Sequence, residues 1–345
     1  MIMHNLENSL KLGLLCPIYL FYGDEQLLME EKASQIASLA LPEDMLWNQE
    51  SYQGNDITPA ELVLNAQSGG FMGLRRMITV RNINWLKRSK KDKDTPENEE
   101  AANVDLEPLI AYAADPNPDT VLILMVNGNV QANSRLLKAV KKGGRAAQFP
   151  LFRSGEKEKW LDNYLRSAGK KPGRGVVSYL ALMSGEGLLS AKNEADKLLL
   201  YTAGHEEIIM DDARAIVSRS SLAGVFDLTD YMAEKQGEKA VEILRRLCLQ
   251  GEAPQKLLAM LGTQYHNTLA VKDLMERGFT SREAAARLGM NPYAASKCAA
   301  QARLYTKRQL SKALELLLNA DIAQKRGEGD LSDLLEVALL RICSM

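Results

Sequence analysis

Through the first 150 residues, short apolar runs alternate with amphipathic stretches, a rhythm of strand followed by helix. PIYLFYG at 17–23 predicts a strand, and a helix follows from about Glu25. WNQESYQG at 47–54 predicts a second strand. The next helix opens at Thr58-Pro59-Ala60-Glu61, where Thr58 can cap, Glu61 can reach back in a capping box, and proline suits the first helical position. Gly69-Gly70 predicts its end. Further elements are expected as a strand at Met77 to Arg81, a helix at Leu106 to Ala114 before the Asp115-Pro116 turn, and the strand TVLILMV at 120–126. A helix through Arg135 to Val140 and a strand around Ala146 to Pro150 close the series. Alternation of this kind packs as a parallel sheet with helices on its faces.

Beyond Pro150 the strand pattern fades. Helices are expected around Glu156 to Ser167 and within GRGVVSYLALM, NEADKLLLYTAG and MDDARAIVSRS. From about Phe226 leucines recur on helical stripes, among them Leu244, Leu247, Leu257, Leu261, Leu317, Leu335 and Leu339. These shifts predict boundaries near 150 and 221: an α/β domain at 1–150, a small helical domain at 151–220 and an all-α domain at 221–345. Leu6, Leu10 and Leu14 also stand at helical spacing, but Asn5, Glu7 and Asn8 among them do not suit a signal peptide. TVLILMV is only strand-sized, so no membrane span is expected and a cytoplasmic location follows.

Composition narrows the class. A chain of 345 residues with 46% hydrophobic and 25% charged residues is an ordinary globular protein of two or three domains. Its formal net charge of -1 argues against affinity gained by blanketing phosphates with basic side chains. Cys16, Cys248, Cys298 and Cys343 lie far apart and predict buried thiols. His4, His205 and His266 have no partner at ligand spacing, so neither a metal nor a cofactor is expected. The charged run between Lys87 and Asp105 has a basic half followed by an acidic half and predicts a solvated loop.

Four stretches bear on chemistry. At the first strand-to-helix junction, Gly23-Asp24-Glu25-Gln26 stands where a nucleotide-binding domain carries its glycine-rich phosphate loop. The lysine for the outer phosphates and the hydroxyl for magnesium are missing, and Asp24 and Glu25 would repel a triphosphate. A turn and helix start account for these residues locally. The strand ending in Arg81-Asn82 likewise lacks the acidic pair that would hold magnesium. Thr280 to Arg303 reads as two helices about a turn at Leu288 to Pro292, a helix-turn-helix in outline; yet Tyr293, Ala294, Ala295 and Ser296 suit base recognition poorly. Phe71-Met72, followed by Leu74, fits either an anchor for a partner's hydrophobic groove or core packing, the commoner fate of phenylalanine.

The chain also resembles the delta-subunit family of bacterial DNA polymerase III, the clamp-opening component of a clamp loader. PIYLFYGDEQLL, SRLLKAVKKGG, KWLDNYLRSAGKKP and NEADKLLLYTAG carry the similarity in order. So do MDDARAIVSRS, the 226–261 segment and NPYAASKCAAQARLYT at 291–306. The chain departs from the family pattern at Tyr265-His266 and at Gln324-Lys325-Arg326-Gly327.

The resemblance implies a degenerate AAA+-like α/β domain, a small helical domain and a helical carboxy-terminal collar domain. It implies a non-catalytic accessory subunit of a DNA-directed DNA polymerase that uses Phe71 and Met72, with Leu74, to bind the sliding clamp. The partners implied are the clamp, the ATP-binding and delta-prime type loader subunits, and primer-template DNA in the assembled loader. Two other readings stay open on the residues alone, an AAA+ ATPase and a helix-turn-helix DNA-binding regulator.

Overall fold

The computed structural model describes residues 2–41, 46–68, 70, 75–86, 104–217 and 221–345. The chain divides into two compact units, one made of Met1–Phe152 with Gly187–Leu189, the other of Arg153–Glu186 with Ser190–Met345.

The first unit is built on five parallel strands: β1 Ile18–Gly23, β2 Gln49–Gln53, β3 Arg76–Arg81, β4 Thr120–Asn127 and β5 Arg145–Phe149. Their order across the sheet is β2-β3-β4-β1-β5. β1 pairs with β4 from Ile18 opposite Leu122 and with β5 from Tyr19 opposite Arg145. β1 and β4 occupy the middle of the sheet and are covered on both faces, which is why their sequences are continuous apolar runs. At the edge, β2 alternates exposed and half-buried residues.

One face of the sheet presents Ile18, Leu20, Ile78, Val80, Leu122 and Leu124 to the helices Pro59–Gln67, Glu107–Ala114 and Arg135–Gly143. The helix Gln26–Ala40 packs on β1, β3, β4 and β5, and Ile2–Lys11 packs on β5. Phe21 meets Phe149 edge to face with ring centroids 5.2 Å apart. Each buried side chain of this size contributes about 1.5–3 kcal/mol.

Several local expectations are met. Thr58 Oγ1 accepts from the Glu61 N–H, and Glu61 accepts from the Thr58 N–H at 2.9 Å, closing the capping box. The helix Pro59–Gln67 ends with Ser68 in an extended conformation, directly before the expected Gly69-Gly70 stop, of which Gly69 lies outside the described residues. Two details differ. Leu6 and Leu10 are buried but Leu14 is exposed, because the helix stops at Lys11 and Gly13 turns the chain away with positive φ. Cys298 and Cys343 are buried, whereas Cys16 and Cys248 are only half-buried. Cys16 lies in the turn before β1, and Cys248 is one residue from the end of its helix.

Among the described residues, the two larger apolar clusters of the second unit organise it. The helices Ser154–Ser167, Val176–Met183, Leu188–Tyr201 and Met210–Ile216 contribute Leu161, Leu180, Ala195, Leu198 and Ala213 to one. The helices Ser221–Ala233, Gly237–Leu249, Pro254–Glu276, Lys307–Lys325 and Leu331–Cys343 contribute Leu228, Leu244, Leu261, Leu317 and Leu335 to the other.

The helix Pro292–Ala302 joins the two clusters through polar contacts. Asn291 caps it, accepting from the N–H groups of Tyr293 and Ala294, while its amide nitrogen donates to Glu158 and to the Ser178 carbonyl. Tyr293 stands edge to face against Tyr179 at 5.1 Å. Deeper in, the Gln301 amide donates to Thr229 at 3.0 Å and Asp230 at 2.7 Å and accepts from Gln264 at 2.8 Å. Every hydrogen-bonding arm of a buried side chain is thereby used. Gln301→Ala leaves Gln264 and Thr229 short of partners and opens a cavity. It should destabilise the second unit by about 3 kcal/mol in urea unfolding, whereas a loss below about 1 kcal/mol would remove the network from the fold's essentials.

Candidate functional site

Two places in the first unit bear on function. The first is the carboxyl end of the sheet, where open α/β folds bind ligands. Gly23 has φ +139, and a Cβ there would overlap the Phe149 carbonyl, so only glycine brings β1 so close to β5 at this point. The backbone N–H groups of Asp24 and Glu25 both donate to the Phe149 oxygen at 3.0 Å. In a phosphate loop, N–H groups in the same stretch of chain face the phosphates instead. Glu25 is 1% exposed, and its carboxylate accepts from the Leu188 N–H at 2.7 Å.

Beside this turn is a hollow of about 190 Å³ lined by Gln26, Met29, Glu30, Arg81, Asn82 and Asn127, among others. Arg81, at the end of β3, donates from Nε to Glu30 Oε1 at 2.6 Å and from Nη2 to Oε2 at 2.9 Å. Its guanidinium is held above its ordinary pKa chiefly by that hydrogen bonding. Asn82, at φ +54, donates to Gln53 at 2.8 Å and accepts from Asn127. The position where magnesium-binding acids would be expected therefore holds a guanidinium already matched to a carboxylate. Among the described residues, no three His, Cys, Asp or Glu side chains cluster as a metal site, and no helix is long and apolar enough to cross a membrane.

The second place is the connection from the helix Pro59–Gln67 to β3. Phe71, Met72 and Leu74 lie outside the described residues, as does most of the charged run between Lys87 and Asp105. Both flanks of 69–75 are described, and they are tied to each other. Arg76 Nη1 donates to the Asn65 carbonyl at 2.8 Å and to Ser68 Oγ, and Nη2 donates to Glu50. Asn117 Nδ2 donates to the carbonyls of Ala66 at 3.2 Å and Gln67 at 3.3 Å. These donors satisfy carbonyls that a helix end leaves without partners. Leu64, on the same helix, is 68% exposed. Sequence reasoning missed Arg76, Asn117 and Leu64 as neighbours of the candidate anchor. Arg75-Arg76 and the turn about Asn117 were visible, but nothing local indicates which carbonyls they reach.

The histidines and the helix-turn-helix outline lead elsewhere. His205 and His266 are exposed. The two helices Ser281–Leu288 and Pro292–Ala302 form as expected about a left-handed Gly289. In the second of them Ala295, Cys298, Ala299 and Ala302 are buried, and Lys297 is bound to Asp230 at 2.5 Å. The exposed residues of this helix, Pro292, Ser296 and Ala300, offer no charged or amide side chain to a DNA groove.

This sheet order, with helices after it, defines the class as an AAA+-like α/β domain followed by helical domains. The model of "DNA polymerase III, delta subunit" matches residues 19–150, and that of "DNA polymerase III delta subunit, C-terminal domain" matches residues 223–342. DNA polymerase III subunit delta of Bacillus subtilis (strain 168) is 27% identical over 336 residues, covering 97% of this chain and 95% of that protein. The probable DNA polymerase III subunit delta of Aquifex aeolicus (strain VF5) is 24% identical over 152 residues, 44% of this chain and 43% of that protein. Among solved structures, the Bacillus subtilis DNA clamp loader delta protein (YqeN) is similar over 100% of both chains, at 26% identity and a TM-score of 0.53.

The chain belongs to the delta-subunit family of DNA polymerase III. It is accordingly a clamp-loader subunit of the replicative polymerase, an accessory component of a hetero-oligomeric loader.

Proposed function

We propose that this subunit grips a sliding clamp by inserting Phe71 and Met72, with Leu74 beside them, into a hydrophobic groove of the ring. The observation that carries the reading is the tie made by Arg76 and Asn117 at both flanks of 69–75, in a chain of the clamp-loader delta family. A connection whose ends are fixed loses less freedom on binding than a free one, so more of its contact energy appears as affinity. Exposed Leu64 nearby would extend the apolar contact.

Opening follows from differential affinity. A subunit that binds the open or distorted ring better than the closed one shifts the ring towards opening by that difference. ATP acts in this scheme on loader subunits with intact phosphate loops, whose conformational change controls access to the anchor. The present chain contributes no catalysis. Its domain from 221 to 345 joins the collar of related subunits, a role suited by the exposed pairs Leu318 with Ile322 and Val337 with Leu340, each at helical spacing. The span 1–150 is then the clamp-binding domain, 151–220 the small helical domain, and primer-template DNA is met only in the assembled loader.

Two outcomes are expected. Replacing Phe71 and Met72 together by alanine should leave the melting temperature nearly unchanged, a shift worth about 0.5 kcal/mol or less, while clamp affinity falls about a thousandfold. A double variant that melts much earlier, yet binds the clamp normally when folded, would return these residues to the core. Isothermal calorimetry of the isolated chain should find no Mg-ATP site at physiological concentrations, since the N–H groups of Asp24 and Glu25 already serve Phe149 and Arg81 already serves Glu30. One tight stoichiometric site would contradict the reading.

A further inference from the structure

Glu25 stands out in the first unit as a carboxylate only 1% exposed. A buried carboxylate is costly unless donors surround it. Here the donors are backbone. Oε1 accepts from the Leu188 N–H at 2.7 Å, and Oε2 accepts at 3.5 Å from the N–H of Phe152. Leu188 opens the helix Leu188–Tyr201, so its N–H is one of those with no partner inside the helix, and the helix start favours negative charge. Gly187 precedes it with φ +77, within 3.7 Å of Oε1 by the position a Cβ would take. This left-handed turn aims the Leu188 N–H at the carboxylate.

The residues held by these contacts have a particular place in the chain. Phe152 is the last residue of the first unit before the chain leaves it, and Gly187–Leu189 is where the chain comes back. Both of these N–H groups thus belong to the first unit and meet the one Glu25 side chain.

We propose that the carboxyl end of β1 is an anion site occupied from within the chain by the Glu25 carboxylate. This internal ligand does for the Phe152 and Leu188 N–H groups what the phosphate of a bound nucleotide does at a helix N-terminus, supplying a negative acceptor. The site's chemistry is that of a small oxyanion, a carboxylate or a phosphate, and it is filled permanently. Glu25 is thus a positioning residue, and it holds the Phe152 and Leu188 amides with no nucleotide present. The inference does not depend on where the clamp binds, and its test needs no clamp.

The experiment uses the full chain with Glu25→Ala and Glu25→Gln, and reads hydrogen exchange at the Leu188 amide by fragmentation mass spectrometry. In Glu25→Ala, exchange should rise about tenfold or more, the factor expected when a buried N–H loses a charged acceptor. Sodium formate should reverse that rise where sodium chloride of equal ionic strength does not, and formate should leave the native chain unchanged. Unaltered exchange in Glu25→Ala, or formate acting no better than chloride, would overturn the proposal. Should the alanine variant fail to fold, Glu25→Gln decides the matter by itself, because it keeps the shape and removes the charge. Faster exchange at Leu188 in the glutamine variant supports the internal anion, and exchange equal to that of the native chain overturns it.

Discussion

Both N–H groups that follow β1, those of Asp24 and Glu25, donate to one carbonyl, that of Phe149. This contact closes the end of the sheet, and much else in the first unit depends on it. It requires glycine at position 23, where any side chain would overlap the same carbonyl. It draws β5 against the turn and sets the chain leaving β5 beside Glu25. The donors that could have cradled a phosphate are unavailable to one. The two polar residues ending β3 are likewise held by neighbours, Arg81 by Glu30 and Asn82 by Gln53 and Asn127.

A sheet closed in this way remains a rigid support. β1 and β4, covered on both faces, hold β3 in register, and β3 begins at Arg76. Arg76 reaches the end of the helix before it, and Asn117 reaches the same helix end from the turn before β4. Rigidity therefore passes from the buried strands to the flanks of 69–75. A loader subunit that contacts a partner through 69–75, as proposed, would gain from so firm a base.

The α/β rhythm, the capping box at Thr58 and the helical character beyond Pro150 were legible because each rests on local chemistry: apolar runs of strand length, a hydroxyl three residues before a glutamate, leucines at helical spacing. What escaped was contact at long range. Gln301 meets Thr229, Asp230 and Gln264 across more than thirty positions of sequence, and Glu25 meets Leu188 across 163. The missing phosphate loop could be read from residue types, but its physical counterpart, two N–H groups sharing the Phe149 oxygen, could not. The candidate anchor was legible only by resemblance, since Phe71 and Met72 read locally as core.

The proposed grip on a sliding clamp needs neither nucleotide nor another loader subunit. Size-exclusion chromatography of the purified chain mixed with the sliding clamp of the same organism tests this most directly, run with and without Mg-ATP. Co-elution as a complex is expected in both runs, at the same position. Separate elution in both runs, or a complex that forms only when ATP is present, would contradict it.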